Sequence, residues 1–356
     1  MGSIFEILDV IACTKKRSVI ATVIMVEGSA YRKEGTSMLF LEDGRQIGMI
    51  SGGCLESDLA IQANVLLNNG TGNSRTVVYD MSAEDDLSWG RGAGCNGTVH
   101  ILLEKVDAKL GDLLCTIKSI LDQGKSVYAL KTVKKDNVRT TCITKEQYYS
   151  AHNNANQDPL INLAQQKVKS RIQAREDLET YVYYHQFIPK PRLFIFGAGA
   201  DVRPFASIAA KTGFAVNIWD WRPAYLKQTY FPDTRFILGN SISEAIKSIQ
   251  FSSGDSVIVM THDYQKDKEL LHFLLQSPPL SYLGILGPRK RTSRLLDGGT
   301  IPERLHSPVG LSIGADGPEE IAIAIIADLI RFQRQVSVEK EISHEHNWYL
   351  SSSGKE

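Results

Sequence analysis

Net charge is the first thing this sequence lacks: its 40 Lys and Arg balance 40 Asp and Glu. A balanced chain has no global field to steer it to nucleic acid or to an anionic membrane, so neither is expected as a partner. No stretch approaches the roughly 18 uninterrupted apolar residues that a membrane span needs. The opening residues MGSIFEILDV carry no basic stretch followed by a long apolar run, so a cytoplasmic location is expected. Cysteine is scarce. Cys13, Cys54, Cys95, Cys115 and Cys142 are an odd number, without CxxC spacing or a nearby His cluster, which argues against a disulfide framework or structural zinc. Fixed-period repeats are absent, and low complexity is confined to the polar tail from Ser351. Small molecules and protein partners remain, on a chain of 356 residues long enough for two or three domains.

What is present begins with residues 4–16, apolar at helical spacing, and Ser18 to Val26, a β-branched run typical of a buried strand. Two short apolar runs bracket the hairpin turn Glu42-Asp43-Gly44-Arg45. A helical pattern follows over Leu55 to Leu67, then strands over Thr76 to Tyr79 and Thr98 to Leu103. This first domain reads as α/β or α+β over residues 1–105. Residues 106–190 read as a connector with a helix at Leu110 to Leu121 and strands at Val127 to Val133, Val138 to Ile143 and Thr180 to Phe187, while Glu146 to Asp177 has few large apolar residues. Past Pro189-Lys190-Pro191, residues 191–340 alternate strand and helix regularly, which predicts a parallel sheet covered on both faces. Its expected strands are Leu193 to Phe196, Ala215 to Trp219, Arg235 to Leu238, Ser256 to Met260 and Tyr282 to Leu286. A closing helix is expected over Ile321 to Arg334, with residues 341–356 as a tail.

The segment Gly197-Ala198-Gly199-Ala200-Asp201-Val202 follows an apolar strand and opens a helix, where free backbone N–H groups and the helix dipole favour a phosphate. Val202 replaces the third glycine of the dinucleotide fingerprint. Asp220 ends the second strand, where a carboxylate can accept from a ribose diol, and Arg222 beside it could meet a 2′-phosphate or stack on a base. Thr261 and His262 follow the fourth strand; Gly287 and Arg289 follow the fifth. All lie at the carboxyl edge where such sheets place ligands. Taken alone, His262 is an ordinary loop histidine and Arg289 a solvated charge; position raises both as ligand contacts.

Ser51-Gly52-Gly53-Cys54-Leu55-Glu56 forms a second constellation, reading as a sharp turn that leaves Cys54 in the first turn of a helix. A thiolate so placed serves as nucleophile, sulfur carrier or ligand to a soft metal such as molybdenum; equally, cysteine is a common small buried residue at a helix start. Cys95, in the glycine-rich loop Gly94-Cys95-Asn96-Gly97, tilts the choice toward a functional surface. Cys13 and Cys115 fall in helix-like apolar patterns and are expected to be buried and inert.

Taken in order, Glu27-Gly28-Ser29, Ser51 to Glu56, Gly94 to Gly97, Phe196 to Gly199, Asp220-Trp221-Arg222-Pro223, Thr261-His262-Asp263, Gly284 to Gly287 and Gly314 to Ile323 resemble the XdhC/CoxI family. The chain departs from the family pattern at Tyr31, Asn96 and Ala200-Asp201. The resemblance implies an XdhC/CoxI-type domain followed by a Rossmann-like domain. It implies an accessory protein, a chaperone more than a catalyst, that binds molybdenum cofactor as molybdopterin or its dinucleotide form. Sulfuration with a cysteine desulfurase, delivery to xanthine dehydrogenase or a related molybdenum hydroxylase, and a homodimer are also implied. Gly52, Gly53, Cys54 and Cys95 would then meet the cofactor in the first domain, with Cys54 as a molybdenum contact. Two other readings stand beside it: an NAD(P)-dependent oxidoreductase using His262 as acid or base, and an interaction module with a degenerate nucleotide domain, against which intact Gly197, Gly199 and Asp220 argue.

Overall fold

The computed structural model describes residues 4–69, 72–81, 97–134, 136–143, 148–150, 171–174 and 180–352. They divide into two units, Met1–Pro189 and Lys190–Glu356. The first unit opens with α1 (Ile4–Cys13), β1 (Ser18–Gly28), β2 (Ser37–Leu41), β3 (Gln46–Gly48), α2 (Glu56–Asn69), β4 (Ser74–Asp80) and β5 (Gly97–Lys105). These strands form an antiparallel sheet in the order β3-β2-β1-β5-β4.

The unbroken apolar run of β1 has a physical reason. Val19, Ala21 and Val23 pack with Leu59, Ala63 and Leu66 of α2, whereas Ile20 faces Ile7, Leu8 and Ile11 of α1. With both faces covered there is no solvent side to carry the alternation usual in antiparallel sheets.

The segment expected as a connector is a folded half of this unit. It contains α3 (Ala108–Asp122), β6 (Val127–Lys134), β7 (Asn137–Ile143), β8 (Tyr148–Ser150), β9 (Arg171–Ala174) and β10 (Thr180–Phe187), with a second antiparallel sheet ordered β8-β7-β6-β10-β9. In α3, the Asp107 side chain caps the Leu110 N–H, and Leu110, Leu113, Leu114, Ile117, Ile120 and Leu121 are buried along one face. Each such aliphatic contributes about 1.5–3 kcal/mol on burial.

Between the sheets lies a polar cluster. Lys131 of β6 is ion-paired to Glu104 of β5, and both are buried. Nearby, His185 of β10 is 5% exposed and stacks on Phe187 with ring centroids 4.0 Å apart. Burial, aided by the Lys131 charge and opposed by a backbone hydrogen bond at Gly35, pushes its imidazole from 6.5 down to about 3. A histidine that folding keeps neutral contributes stability above its unfolded pKa, and that stability is lost as pH falls from 6.5 toward 3. We expect the acid-side decline in denaturant midpoint to flatten in this window in His185→Gln. An unchanged slope would mean that His185 does not carry the linkage.

In the second unit the chain runs β11 (Arg192–Phe196), α4 (Val202–Lys211), β12 (Ala215–Trp219), β13 (Arg235–Phe236), α5 (Ile242–Ser248), β14 (Ser256–Val259), α6 (Tyr264–Gln276), β15 (Tyr282–Ile285), α7 (Arg289–Leu295), β16 (Leu305–His306) and α8 (Gly317–Ser352). All neighbouring strands are parallel, in the order β13-β12-β11-β14-β15-β16. Leu193 and Ile195 of β11 face α4 and α8, through Phe205, Ala209, Ile325 and Leu329. Phe194 and Phe196 face the other way, toward Leu270, Leu271 and Leu274 of α6 and Leu295 of α7. This is the doubly covered parallel sheet expected from the sequence. The two-residue β16 carries too short a pattern to read, and α8 continues to Ser352, well beyond Arg334.

Candidate functional site

The strand order of the second unit is that of a dinucleotide-binding sheet, and its direction of winding reverses between β11 and β14. The turns after β11, β12, β14 and β15 therefore share the carboxyl edge, with Gly197–Asp201 and Thr261–Asp263 meeting at the reversal. Gly197 is fitted there by necessity. Its φ is +128°, its N–H donates to Trp219 O at 2.7 Å, and a Cβ would lie 2.3 Å from Met260 O. Gly199 is different, because a Cβ on it would meet side chains alone, Asp201 Oδ1 at 2.5 Å and His262 Cδ2 at 3.9 Å, and no backbone.

Ala198 N–H donates to Asp220 at 2.8 Å, while the N–H groups of Gly199, Ala200 and Asp201 donate to no acceptor among the described residues. Three free donors stand at the start of the ten-residue α4, an arrangement whose chemistry suits an anion. Val202, at the third-glycine position, is fully buried against the sheet and closes the turn by packing.

Asp220 is buried, and both its oxygens are taken. Oδ1 accepts from the N–H and Nε of Arg222, each at 2.9 Å, and Oδ2 accepts from Ala198 N–H and Arg222 Nη2, each at 2.8 Å. The carboxylate ties the second strand end to the glycine turn. Arg222 lies over both the Trp221 and the Tyr225 rings, its guanidinium carbon 4.3 Å and 4.0 Å from their centroids. The Asp220 carboxylate beside it raises the guanidinium pKa further.

His262 Nε2 lies 2.7 Å from Asp201 Oδ2, joining the two turns across the reversal. His262 is exposed and has φ +60°, a left-handed conformation uncommon for a non-glycine residue. Thr261, by contrast, is buried, and its hydroxyl donates to Asp267 at 2.5 Å. Asp267 in turn binds Arg291 at 2.6 Å. Gly287 has φ +113° and packs over Arg291, and Arg289 turns away to donate to Ser307 O at 3.2 Å. Sequence reasoning missed the Asp201–His262 pair, the Asp267–Arg291 pair and Arg203. For Asp267 a signal existed: it lies one helical turn after the N-cap Asp263, on the buried face of α6.

In the first unit, Ser51–Glu56 is organised by Glu56. Its carboxylate accepts from the N–H groups of Ile50, Ser51 and Gly53, at 3.1, 2.7 and 3.1 Å, and from the Ser51 hydroxyl. Burial raises the Glu56 pKa, but these donors, led by the Ser51 hydroxyl, outweigh it and hold the group below its usual range. Cys54 is exposed and precedes the first residue of α2 by two positions, so the expected place in the first helical turn is corrected. The nearby N–H groups of Gly53 and Leu55 donate to Ser51 and Glu56, which removes them as donors to the thiol. Around Gly52 and Gly53 a Cβ would meet nothing within 4 Å. Cys95 lies outside the described residues.

Two other expectations about cysteine are overturned: Cys13 and Cys115 are exposed, on the outer faces of α1 and α3. Among the described residues the buried thiol is Cys142, which burial pushes up to about 12. A thiol probe at neutral pH should therefore modify Cys13, Cys54 and Cys115 in the folded protein and reach Cys142 only after unfolding. Equal labelling of Cys142 in the native state, read by peptide mass spectrometry, would contradict this burial.

Comparison with known proteins matches this geometry to three family models in chain order. They are the XdhC and CoxI family over residues 14–80, the BH1974-like central domain over residues 108–188, and the XdhC Rossmann domain over residues 193–329. A crystal structure described as a xanthine dehydrogenase (BH1974) from Bacillus halodurans is 44% identical. It superposes with a TM-score of 0.81, covering 94% of this chain and 96% of that one. The molybdenum cofactor insertion chaperone PaoD of Escherichia coli (strain K12) is 26% identical over 322 residues, 88% of this chain and 83% of PaoD. A Bacillus subtilis (strain 168) protein, named as a probable subunit of xanthine dehydrogenase, is 39% identical over 338 residues, 95% of this chain and 100% of its own length. Matched along nearly its whole length by such relatives and by both XdhC models, the chain belongs to the XdhC and CoxI family.

Proposed function

We propose that this chain is a cytoplasmic accessory protein, working as a homodimer, that takes up molybdenum cofactor as cargo. It supports sulfuration of that cargo by a cysteine desulfurase and passes it to xanthine dehydrogenase or a related molybdenum hydroxylase. The carrying observation is the glycine turn, whose three unpartnered N–H groups at a helix start suit the terminal phosphate of a pterin or its dinucleotide form. PaoD, a relative named for cofactor insertion, supports the same reading.

The donors present fit such a cargo. Gly197, Ala198 and Gly199 shape the turn, the N–H groups of Gly199, Ala200 and Asp201 hold phosphate oxygens, and Val202 anchors the helix start. The Cys54 thiol, on an open glycine loop steadied by Glu56, supplies a soft donor for molybdenum or a carrier for sulfur. When bound, the cofactor contributes the redox-active metal that the recipient enzyme needs; this chain binds and presents it. The Asp201–His262 pair favours a second reading, an NAD(P)-dependent oxidoreductase with His262 as acid or base.

The test is delivery. Purified protein loaded with cofactor should restore activity to an apo-molybdenum hydroxylase faster than free cofactor does. Equal rates with and without the protein would remove the accessory role.

A further inference from the structure

We propose that the nucleotide end of the second unit is built for a 2′-phosphorylated nucleoside and not for a free ribose diol. The inference rests on the reading of the glycine turn as a phosphate site; the nucleoside and the molybdenum cofactor would compete for that one turn, so each is measured by itself. In a dinucleotide-binding sheet, the acidic residue ending the second strand accepts from the ribose hydroxyls. Here Asp220 stands at that place with four donors already on its two oxygens, so no acceptor position is left for a diol.

The group offered in its stead is Arg222. Nε and Nη2 are engaged by Asp220, whereas Nη1 has no partner among the described residues, and the side chain is 35% exposed. A guanidinium fixed at one edge by Asp220 and in contact with the Trp221 and Tyr225 rings is held in place with its remaining N–H groups free, a group suited to phosphate oxygens. Arg203, the second residue of α4, adds charge. Its guanidinium carbon lies 3.8 Å from the Tyr230 ring centroid, it pairs with no carboxylate among the described residues, and its Nε is buried without a partner. Lys227 lies over the same ring at 5.7 Å. The Tyr225 and Tyr230 rings, both about 39% exposed, leave apolar faces against which a base can stack.

Two anion subsites beside an aromatic platform define the ligand class. The turn takes one phosphoryl group, and Arg222 takes a second, carried on the same nucleoside. A pterin with one phosphate satisfies the turn alone, so the second subsite points to a nucleotide bearing a 2′-phosphate.

The experiment compares 2′,5′-ADP with 5′-AMP, titrated calorimetrically against the full chain in phosphate-free buffer at fixed ionic strength. We expect 2′,5′-ADP to bind roughly tenfold more tightly or better, as befits a charge-assisted contact. Arg222→Ala should bring the two within about threefold. Because that change leaves a buried carboxylate without its cation, Tyr225→Ala serves as the second variant: it removes one stacking face, leaves the Asp220 pair intact, and should also shrink the preference. Equal affinities in the unaltered protein overturn the proposal while leaving the glycine-turn site in place. A preference that persists in both variants overturns it as well, as does failure of both nucleotides to bind. Pterin carriage, measured separately, decides the accessory function whichever way the nucleotide result falls.

Discussion

Gly197→Ala should cost the second unit on the order of 3 kcal/mol or more, the upper range for single substitutions. The methyl carbon would have to sit 2.3 Å from the Met260 carbonyl oxygen, in the segment just past β14, and the residue would keep φ +128°. Neither contact partner can rotate away, since Met260 N–H is itself bonded to Phe196 O at 2.9 Å. Relief requires β11 and β14 to part at the point where the winding reverses, taking the anion site with them. Gly199→Ala provides the contrast. Its Cβ meets Asp201 Oδ1, a side-chain end that can swing aside at the expense of its exposed bond to His262, and Gly199 has no positive φ, so stability should change by no more than about 1 kcal/mol. Yet a side chain there intrudes where a phosphate must approach the backbone, and ligand affinity should fall roughly tenfold or more. Chemical denaturation and calorimetric binding of both variants check the pair. Equal loss of stability in the two would show that the turn is one rigid unit without the division of labour described.

Cys54→Ser should leave folding and the glycine turn untouched and reduce delivery of active cofactor to an apo-molybdenum hydroxylase by roughly tenfold or more, because an alcohol is a poor ligand for a soft metal and no carrier of sulfur. Exposure makes the change benign for stability: Cys54 packs against nothing in the cores of the first unit, and the loop is held by Ser51 and Glu56. Full activation by the serine variant would make Cys54 a bystander and shift attention to Cys95.

Much of this architecture was legible beforehand because it rests on local signals. The β11 and β12 runs, the glycines between them and Asp220 follow from strand periodicity and turn chemistry, and the parallel sheet follows from their alternation with helices. In the middle of the chain the helix and the longer strands were legible, whereas β8 and β9 fall in the polar stretch Glu146 to Asp177 and the pairing of the strands could not be read. β10 pairs with β6 across a separation in sequence that no periodicity encodes, and β9 adds at the far edge of β10. In the site, the positions of His262 and Asp220 could be read, but their partners could not. Asp201 meets His262 across 61 residues, and the apparent diol acceptor Asp220 is taken by an arginine two residues away. Cys13 and Cys115 look buried by helical spacing alone, yet each sits just off the apolar stripe of its helix, where a one-residue offset is enough to expose it.

The central claim is that this chain holds a phosphate-bearing molybdenum cofactor, and the most direct measurement is mass spectrometry of the ligand released on denaturing protein purified from cells that make the cofactor. The account predicts a pterin at close to one per chain in the unaltered protein, and its loss in Gly199→Ala. Protein that releases nicotinamide and no pterin, or a pterin content that Gly199→Ala leaves unchanged, would contradict it.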